Sequence, residues 1–241
     1  MKKILLLLVF SLVISFNIDA QVLISLLLGD KLNSDKIEFG LVGGANIAHS
    51  TVPEASTAYG SLSLGFYFNI LLNEKWSIAP SVAVISSMGA SGIAAYPVDP
   101  TLDDALVGAE VTRKIEYFQV PIFMRYKFSP RFYGAIGPQF GLRHKATDEF
   151  VKSLVSEEDL VYNNDIRDQY TRLDAGFSVG LGYRLKKDIP KAMSVGVQFY
   201  HGLVDVLKDN PGDPVYNKAL LLYVTVPIGA GKKKNAESSP E

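Results

Sequence analysis

From residue 132 onward, one set of alternate positions reads Phe132, Gly134, Ile136, Pro138, Phe140, Leu142, and the interleaved set reads Tyr133, Ala135, Gly137, Gln139, Gly141, Arg143. Period-two alternation of this length marks a β-strand with two chemically different faces. The preceding run repeats it, with Phe118, Val120, Ile122, Met124, Tyr126, Phe128 against Tyr117, Gln119, Pro121, Phe123, Arg125, Lys127. Only Ser129 and Pro130 part the two runs, which predicts a tight hairpin of long strands. Strands of soluble proteins average about five or six residues, whereas tilted membrane-spanning strands need about 9–11. The hairpin has the length for a bilayer.

The same pattern recurs along the chain. It predicts further strands over residues 37–47, 59–70, 76–87, 171–185, 192–203 and 218–228. With the hairpin the count is eight, and the connections alternate. Long ones are expected at 48–58, 88–112, 145–170 and 205–217, and short ones at 71–75, 129–130 and 186–191. Within 145–170, Phe150, Val151, Leu154 and Val155 follow Asp148 at helical spacing, which predicts a short helix there. Short periplasmic turns alternating with long external loops are the topology of outer-membrane barrels, and an even strand number leaves both ends on the periplasmic side. The expected fold is therefore all-β, an eight-stranded antiparallel up-and-down transmembrane β-barrel over 37–228.

Alternation does not say which face points inward, since a soluble ligand-binding barrel would bury the apolar set. Three features predict the inverted arrangement. The polar set is rich in Gly, Ala and Ser, which suits a narrow lumen. Aromatic residues collect toward strand ends (Phe39, Tyr59, Trp76, Phe128, Phe132, Tyr133), as interfacial girdles do. The polar set also holds Glu38, Arg125, Lys127, Arg143, Arg172, Asp174 and Arg184, both signs mixed. Glu38, Arg125, Arg143, Arg172, Asp174 and Arg184 are expected to form one hydrogen-bonded plug, because unpaired charges in a narrow lumen are costly.

The flanks change the picture at both ends. Lys2 and Lys3 precede the apolar run 4–16, and Asn17, Ile18, Asp19 and Ala20 follow it, the order of a secretory signal peptide over residues 1–20. Residues 21–33 are apolar almost all round and predict a short helix at the barrel mouth or in the interface, within a 21–36 segment whose alternative is an extended leader. Lys232, Lys233 and Lys234 open a patternless stretch, so 229–241 is expected to be a disordered periplasmic tail. The chain has 241 residues, 48% hydrophobic and 20% charged, values that separate no class because barrels average apolar against polar positions. A formal charge of −1 argues against a nucleic-acid partner. With no cysteine, disulfides, thiolate metal sites and cysteine catalysis are excluded.

The segment Tyr117-Phe118-Gln119-Val120-Pro121, continuing through Arg125-Tyr126-Lys127-Phe128 to Gly134-Ala135-Ile136-Gly137-Pro138, resembles the strand-hairpin pattern of PorT-like outer-membrane β-barrel proteins. The resemblance covers roughly 37–228 and implies an eight-stranded outer-membrane barrel and a link to protein secretion across that membrane. One departure is that many such barrels end on an aromatic residue that aids assembly, whereas here Ile228 is followed by the basic stretch.

Candidate chemistry is sparse. His49, His144 and His201 have no metal-ligand spacing and fall near the outer ends of strands. His201 with Asp205 suggests a lipid-modifying rim enzyme, but no serine lies at 202–206 to act as nucleophile. Gly180-x-Gly182 and Gly40-x-x-Gly43-Gly44 lie inside strands rather than at strand-to-helix turns, so they relieve crowding beside Tyr67, Tyr133 and Tyr200 instead of binding phosphate. Asp99, Asp103, Asp104 and Glu157-Glu158-Asp159 read as solvated loop acids, with a cation bridge to lipopolysaccharide as the alternative. No catalytic, cofactor-binding or metal-binding residue is expected, and no cofactor. The expected function is a non-enzymatic, closed barrel that is structural or binds partners. Those partners are outer-membrane lipid, lipopolysaccharide, and envelope or secretion-machinery proteins reached through loop 145–170 or the periplasmic segments. A small-solute channel is the first alternative and a lipid-modifying enzyme the second.

Overall fold

The structure is a computed structural model that describes residues 32–51, 57–153, 159–186, 191–209 and 211–228. The expected signal peptide, all but the end of the expected helix and the expected tail lie outside the described residues. The strands are β1 (Ile37–Ser50), β2 (Thr57–Leu71), β3 (Trp76–Ile85), β4 (Ser87–Ala94), β5 (Glu110–Lys127), β6 (Phe132–Lys152), β7 (Leu160–Asp165), β8 (Leu173–Arg184), β9 (Ser194–Gly202) and β10 (Asn217–Pro227). A short helix, α1 (Asp103–Leu106), and a 3₁₀ turn (Arg167–Gln169) complete the described elements.

Every pairing is antiparallel, and the sheet closes when β1 pairs with β10 over Gly40–Pro227 to Ser50–Asn217. The ring has eight positions. β3 and β4 share one of them, both lying between β2 and β5, while β7 pairs only with β6 and stands outside the ring. The eight-stranded barrel is thus present, but two of its walls differ from the sequence pattern.

The first difference is a break of phase in the third wall. Val84 and Ile85 both face outward and Ser86 turns in, with its carbonyl accepting the Tyr117 amide at 2.9 Å. Register against β2 shifts at the same place. The predicted strand 76–87 therefore ends early, and β4 continues the wall through residues assigned to a loop. The second difference is an extra residue in β6. Tyr117 faces Arg143 and Glu116 faces Lys145, so His144 has no partner and the inward set becomes Ala146, Asp148, Phe150. Where a helix was expected from Asp148 onward, the described residues form none, and Leu154 and Val155 lie outside the described residues. Residues to Lys152 are strand, and β7 returns alongside them with Glu149 opposite Asn163. A one-residue bulge inverts the faces downstream and so hides a continuing strand from a period-two reading.

The outward face settles the solvent. Leu62, Phe66, Phe118, Ile136, Phe140, Phe177, Val179, Leu181, Phe199 and Leu222 are all exposed, and they encircle the barrel. Soluble monomers rarely expose contiguous apolar surface beyond a few hundred Å², so this belt faces lipid. It ends on paired rings, tilted against each other, at the short-turn end, where Trp76 lies 4.7 Å from Tyr126 and Phe132 lies 4.9 Å from Tyr183. Tyr133, grouped with the girdle by sequence, points into the lumen instead, buried against Tyr223 at 3.2 Å between hydroxyls. At the other end the belt stops at Phe118 and Leu142, beyond which the outward positions are Glu116, Lys114, His144 and Lys145.

Candidate functional site: a layered lumen and a projecting head

Inward-facing residues divide the molecule into layers along the barrel axis. At the short-turn end lies an open well of about 390 Å³. Above it, Gln139 links the walls: its amide donates to Gln119 at 3.2 Å, and its carbonyl accepts from Ser178 at 2.7 Å and Gln198 at 3.0 Å. Next, Asp174 accepts from the Tyr200 hydroxyl at 2.8 Å and the Asn217 amide at 2.9 Å. Bulky lumen rings need bare backbone beside them. A Cβ on Gly182 would run into the Tyr133 ring, and one on Gly196 would come within 2.5 Å of the Tyr223 hydroxyl.

The long-connection end is filled by apolar side chains. Ala48, Met88, Ile115, Tyr117, Ala146, Tyr200 and Ala219 from the walls pack with Ile166, Tyr170, Val206 and Val215 from the connections. Asp205 helps to hold the inserted connection, accepting the amides of Leu207 at 3.1 Å and Val215 at 3.0 Å.

Beyond the lipid belt, β4, β5, β6 and β7 continue as a head. Its own core is Ile93, Leu106, Ala109, Val111 and Phe150, against which Tyr96, Val98, Leu102, Leu160 and Tyr162 pack. Beneath that core lies a buried ion pair. Arg113 Nε donates to Asp148 Oδ1 at 2.7 Å and Nη2 to Oδ2 at 2.6 Å, while Nη1 donates to the Tyr170 hydroxyl at 3.1 Å. The Tyr96 hydroxyl donates to Asp148 Oδ2 at 2.6 Å. Burial works against the Arg113 charge, but Asp148 and Tyr170 outweigh it and hold the guanidinium protonated above its ordinary range. Burial, then the bond to Asp148, pushes the Tyr96 phenol up to about 12. This group was missed by sequence reading, although Val111, Arg113, Ile115, Tyr117 alternate visibly with Thr112, Lys114 and Glu116.

The residues singled out by sequence fall as follows. The six charges expected in one plug are dispersed. Glu38, Arg125 and Arg184 line the well, Asp174 sits in its own layer with neutral donors, and Arg143 and Arg172 lie near the long-connection end. Strands rise about 3.3 Å per residue, so same-face positions a dozen residues apart never meet. Arg143 Nε donates to the Thr171 carbonyl at 3.1 Å. His49 and His144 are exposed, the latter 4.7 Å from the Phe118 ring, and His201 sits on the outward face near Tyr216. Asp99 and Asp103 build a turn. Asp103 Oδ1 accepts the Val98 and Asp99 amides, and bonds from Thr101 hold the Asp99 carboxyl below its ordinary range. Glu157 and Glu158 lie outside the described residues. Among the described residues no three His, Asp or Glu cluster as metal ligands.

A family model described as "Outer membrane protein beta-barrel domain" matches residues 29–208. Among solved structures the chain is similar to Ail, the attachment invasion locus protein of Yersinia pestis, at 10% identity and a TM-score of 0.40, over 79% of this chain and 97% of that one; the Ail crystal holds the heparin analogue sucrose octasulfate. Neisserial surface protein A is similar at 13% identity and a TM-score of 0.38, over 78% and 96%. OprG of Pseudomonas aeruginosa is similar at 10% identity and a TM-score of 0.36, over 79% and 96%. Comparison with curated proteins gives no match.

Proposed function

Because the chain belongs to the outer membrane protein beta-barrel domain family and is integral to the bacterial outer membrane, we propose that it is a non-enzymatic barrel with a closed lumen whose external head binds another component of the envelope. The observation that carries this reading is the position of the rigid surface. The short-turn end is periplasmic in such barrels and the long-connection end external. Strand surface inside the belt is committed to lipid, whereas the head built by β4 to β7 offers an ordered external surface whose shape its core and ion pair fix. A solvated loop would not need Phe150, Val111 and Leu106 packed together. The resemblance of the 117–138 hairpin to PorT-like barrels supports a narrower placement, with a secretion-machinery protein as the partner class.

The same layers support closure. Eight strands leave an interior about filled by side chains, and here the Gln139 layer and the apolar packing below the head stand between the well and the outside. Planar bilayers holding the purified barrel are therefore expected to show no steady conductance. Reproducible large open-channel steps would favour a small-solute channel instead.

The head itself is testable by shortening it. Glu149 and Asn163 face each other in register, so replacing 150–162 with Asn-Gly closes β6 onto β7 through a two-residue turn. The barrel is expected to fold, scored by anomalous migration of the unheated protein on a denaturing gel. It is expected to lose the partners that co-purify with the parent from native membranes. A shortened barrel that still recovers every partner places recognition at the periplasmic segments.

A further inference from the structure

We propose that the periplasmic well is a binding site for a phosphate-bearing anion. Among the described residues the cavity's lining carries seven Lys or Arg side chains against three Asp or Glu. Three of the cations, Arg125 and Lys127 on β5 and Arg184 on β8, come from the barrel wall itself. None of the three forms an ion pair among the described residues. Arg125 is held in place by aromatic faces, its guanidinium carbon 5.1 Å from the centre of the Tyr133 ring and 6.0 Å from that of Tyr67. Its Nε is buried and, among the described residues, donates to no protein group. Glu38, the carboxylate of the β1 wall, accepts the Tyr67 hydroxyl at 2.6 Å. At the mouth, Lys191 is spent on structure, donating to Asn33 Oδ1, Ser34 O and Ile37 O.

The contrast within one molecule gives this its weight. In the head, where a cation serves rigidity, Arg113 is matched bidentately by Asp148. In the well, cations of the same type are left in excess on a concave wall, where like charges repel and low-dielectric walls focus the potential. A surplus of oriented guanidinium and ammonium groups fits phosphate oxygens, which accept paired N–H donors from arginine. The cavity has room for a phosphoryl or pyrophosphoryl group. The same chemistry is offered by a soluble phosphoanion of the periplasm and by an anionic phospholipid headgroup of the inner leaflet.

Pyrophosphate titrated calorimetrically into the full chain in phosphatidylcholine nanodiscs tests the first source. The protein's single tryptophan, Trp76, lines the well and gives a second, fluorescent readout. Retention of phosphatidylglycerol, read by mass spectrometry of protein released from mixed discs, tests the second. Saturable pyrophosphate binding identifies a soluble anion, and selective phosphatidylglycerol retention identifies a headgroup. In either case the Arg125→Gln/Arg184→Gln double variant is expected to weaken binding about tenfold or more. Lys127→Gln, which removes a charge without touching the packed rings, is expected to weaken it by less. Lys114→Gln/Lys145→Gln removes the same charge from the head and is expected to leave binding unchanged. The proposal is overturned if neither probe binds, or if the head variant weakens binding as much as the well variants do.

Discussion

Asp148→Ala is expected to open the external head, destabilising it by about 3–5 kcal/mol, the usual cost of removing one partner from a buried ion pair. Asp148 has no exposed surface and Arg113 only 7%. Without the carboxylate, the guanidinium keeps its bond to the Tyr170 hydroxyl, and the Tyr96 phenol loses its acceptor. No lipid presses on this part of β5 and β6, so the loss is expected to appear as local opening and not as loss of the barrel. Hydrogen exchange of the 111–117 and 146–151 amides measures it, and these are expected to exchange faster while amides 134–142 stay protected. An Arg113→Met/Asp148→Leu variant is the control. Apolar replacement of a whole buried pair is often neutral or stabilising, so protection is expected to return. Unchanged exchange in Asp148→Ala would mean that the head is held by its apolar core alone.

Phe177→Arg is expected to destabilise the barrel in lipid by about 2–4 kcal/mol. Phe177 lies inside the belt, 53% exposed, opposite Pro138 on β6 and His201 on β9. A guanidinium there meets hydrocarbon. Ser178, the next residue, is wholly buried and donates to Gln139, so Ser178→Arg would fail for a different reason, by overfilling the lumen and breaking the glutamine layer. Urea titration of both variants folded into lipid vesicles separates the two causes. In detergent micelles of shorter chain, Phe177→Arg is expected to recover part of its loss because the head group can reach water, whereas Ser178→Arg is not. A Phe177→Arg barrel as stable in vesicles as the parent would reverse the assignment of the faces.

The faces themselves were legible because Phe132 to Leu142 keep phase without interruption, and lipid demands an unbroken apolar row where water does not. Strand order and the alternation of short and long connections followed from the same rows. What stayed hidden was local. At Ile85 and at His144 a single extra residue resets the phase, and beyond each reset the outward face meets water, so polar residues appear on the side where apolar ones had been. Phe150 and Val151, read as the start of a helix, belong to the continuing strand, with no lipid row to signal it. Glu38, Arg125, Asp174 and Arg184 were legible as inward but not as to height. Arg172, exposed just before β8, and Arg184 at its far end stand about 40 Å apart along the chain, so one list of expected inward charges described three separate environments. The Arg113–Asp148 pair was concealed for a related reason, since its members fell in stretches read as a loop edge and a helix start.

The seam between β1 and β10 sets the order of events in time. Those strands are the first and last of the ring, and their eleven paired residues join positions far apart in the chain. Every other wall can form a hairpin with a sequence neighbour as it emerges, but this one must wait for residue 227. Non-local pairing of this kind is slow and leaves exposed edges meanwhile. A chain stopped before β10 would carry two unpaired edges, β1 and β9, into the envelope, each a template for a foreign strand. Completion of the ring is therefore the step at which an unfinished chain is most vulnerable to proteolysis and to mispairing, and the one a cellular assembly factor would have most reason to shelter.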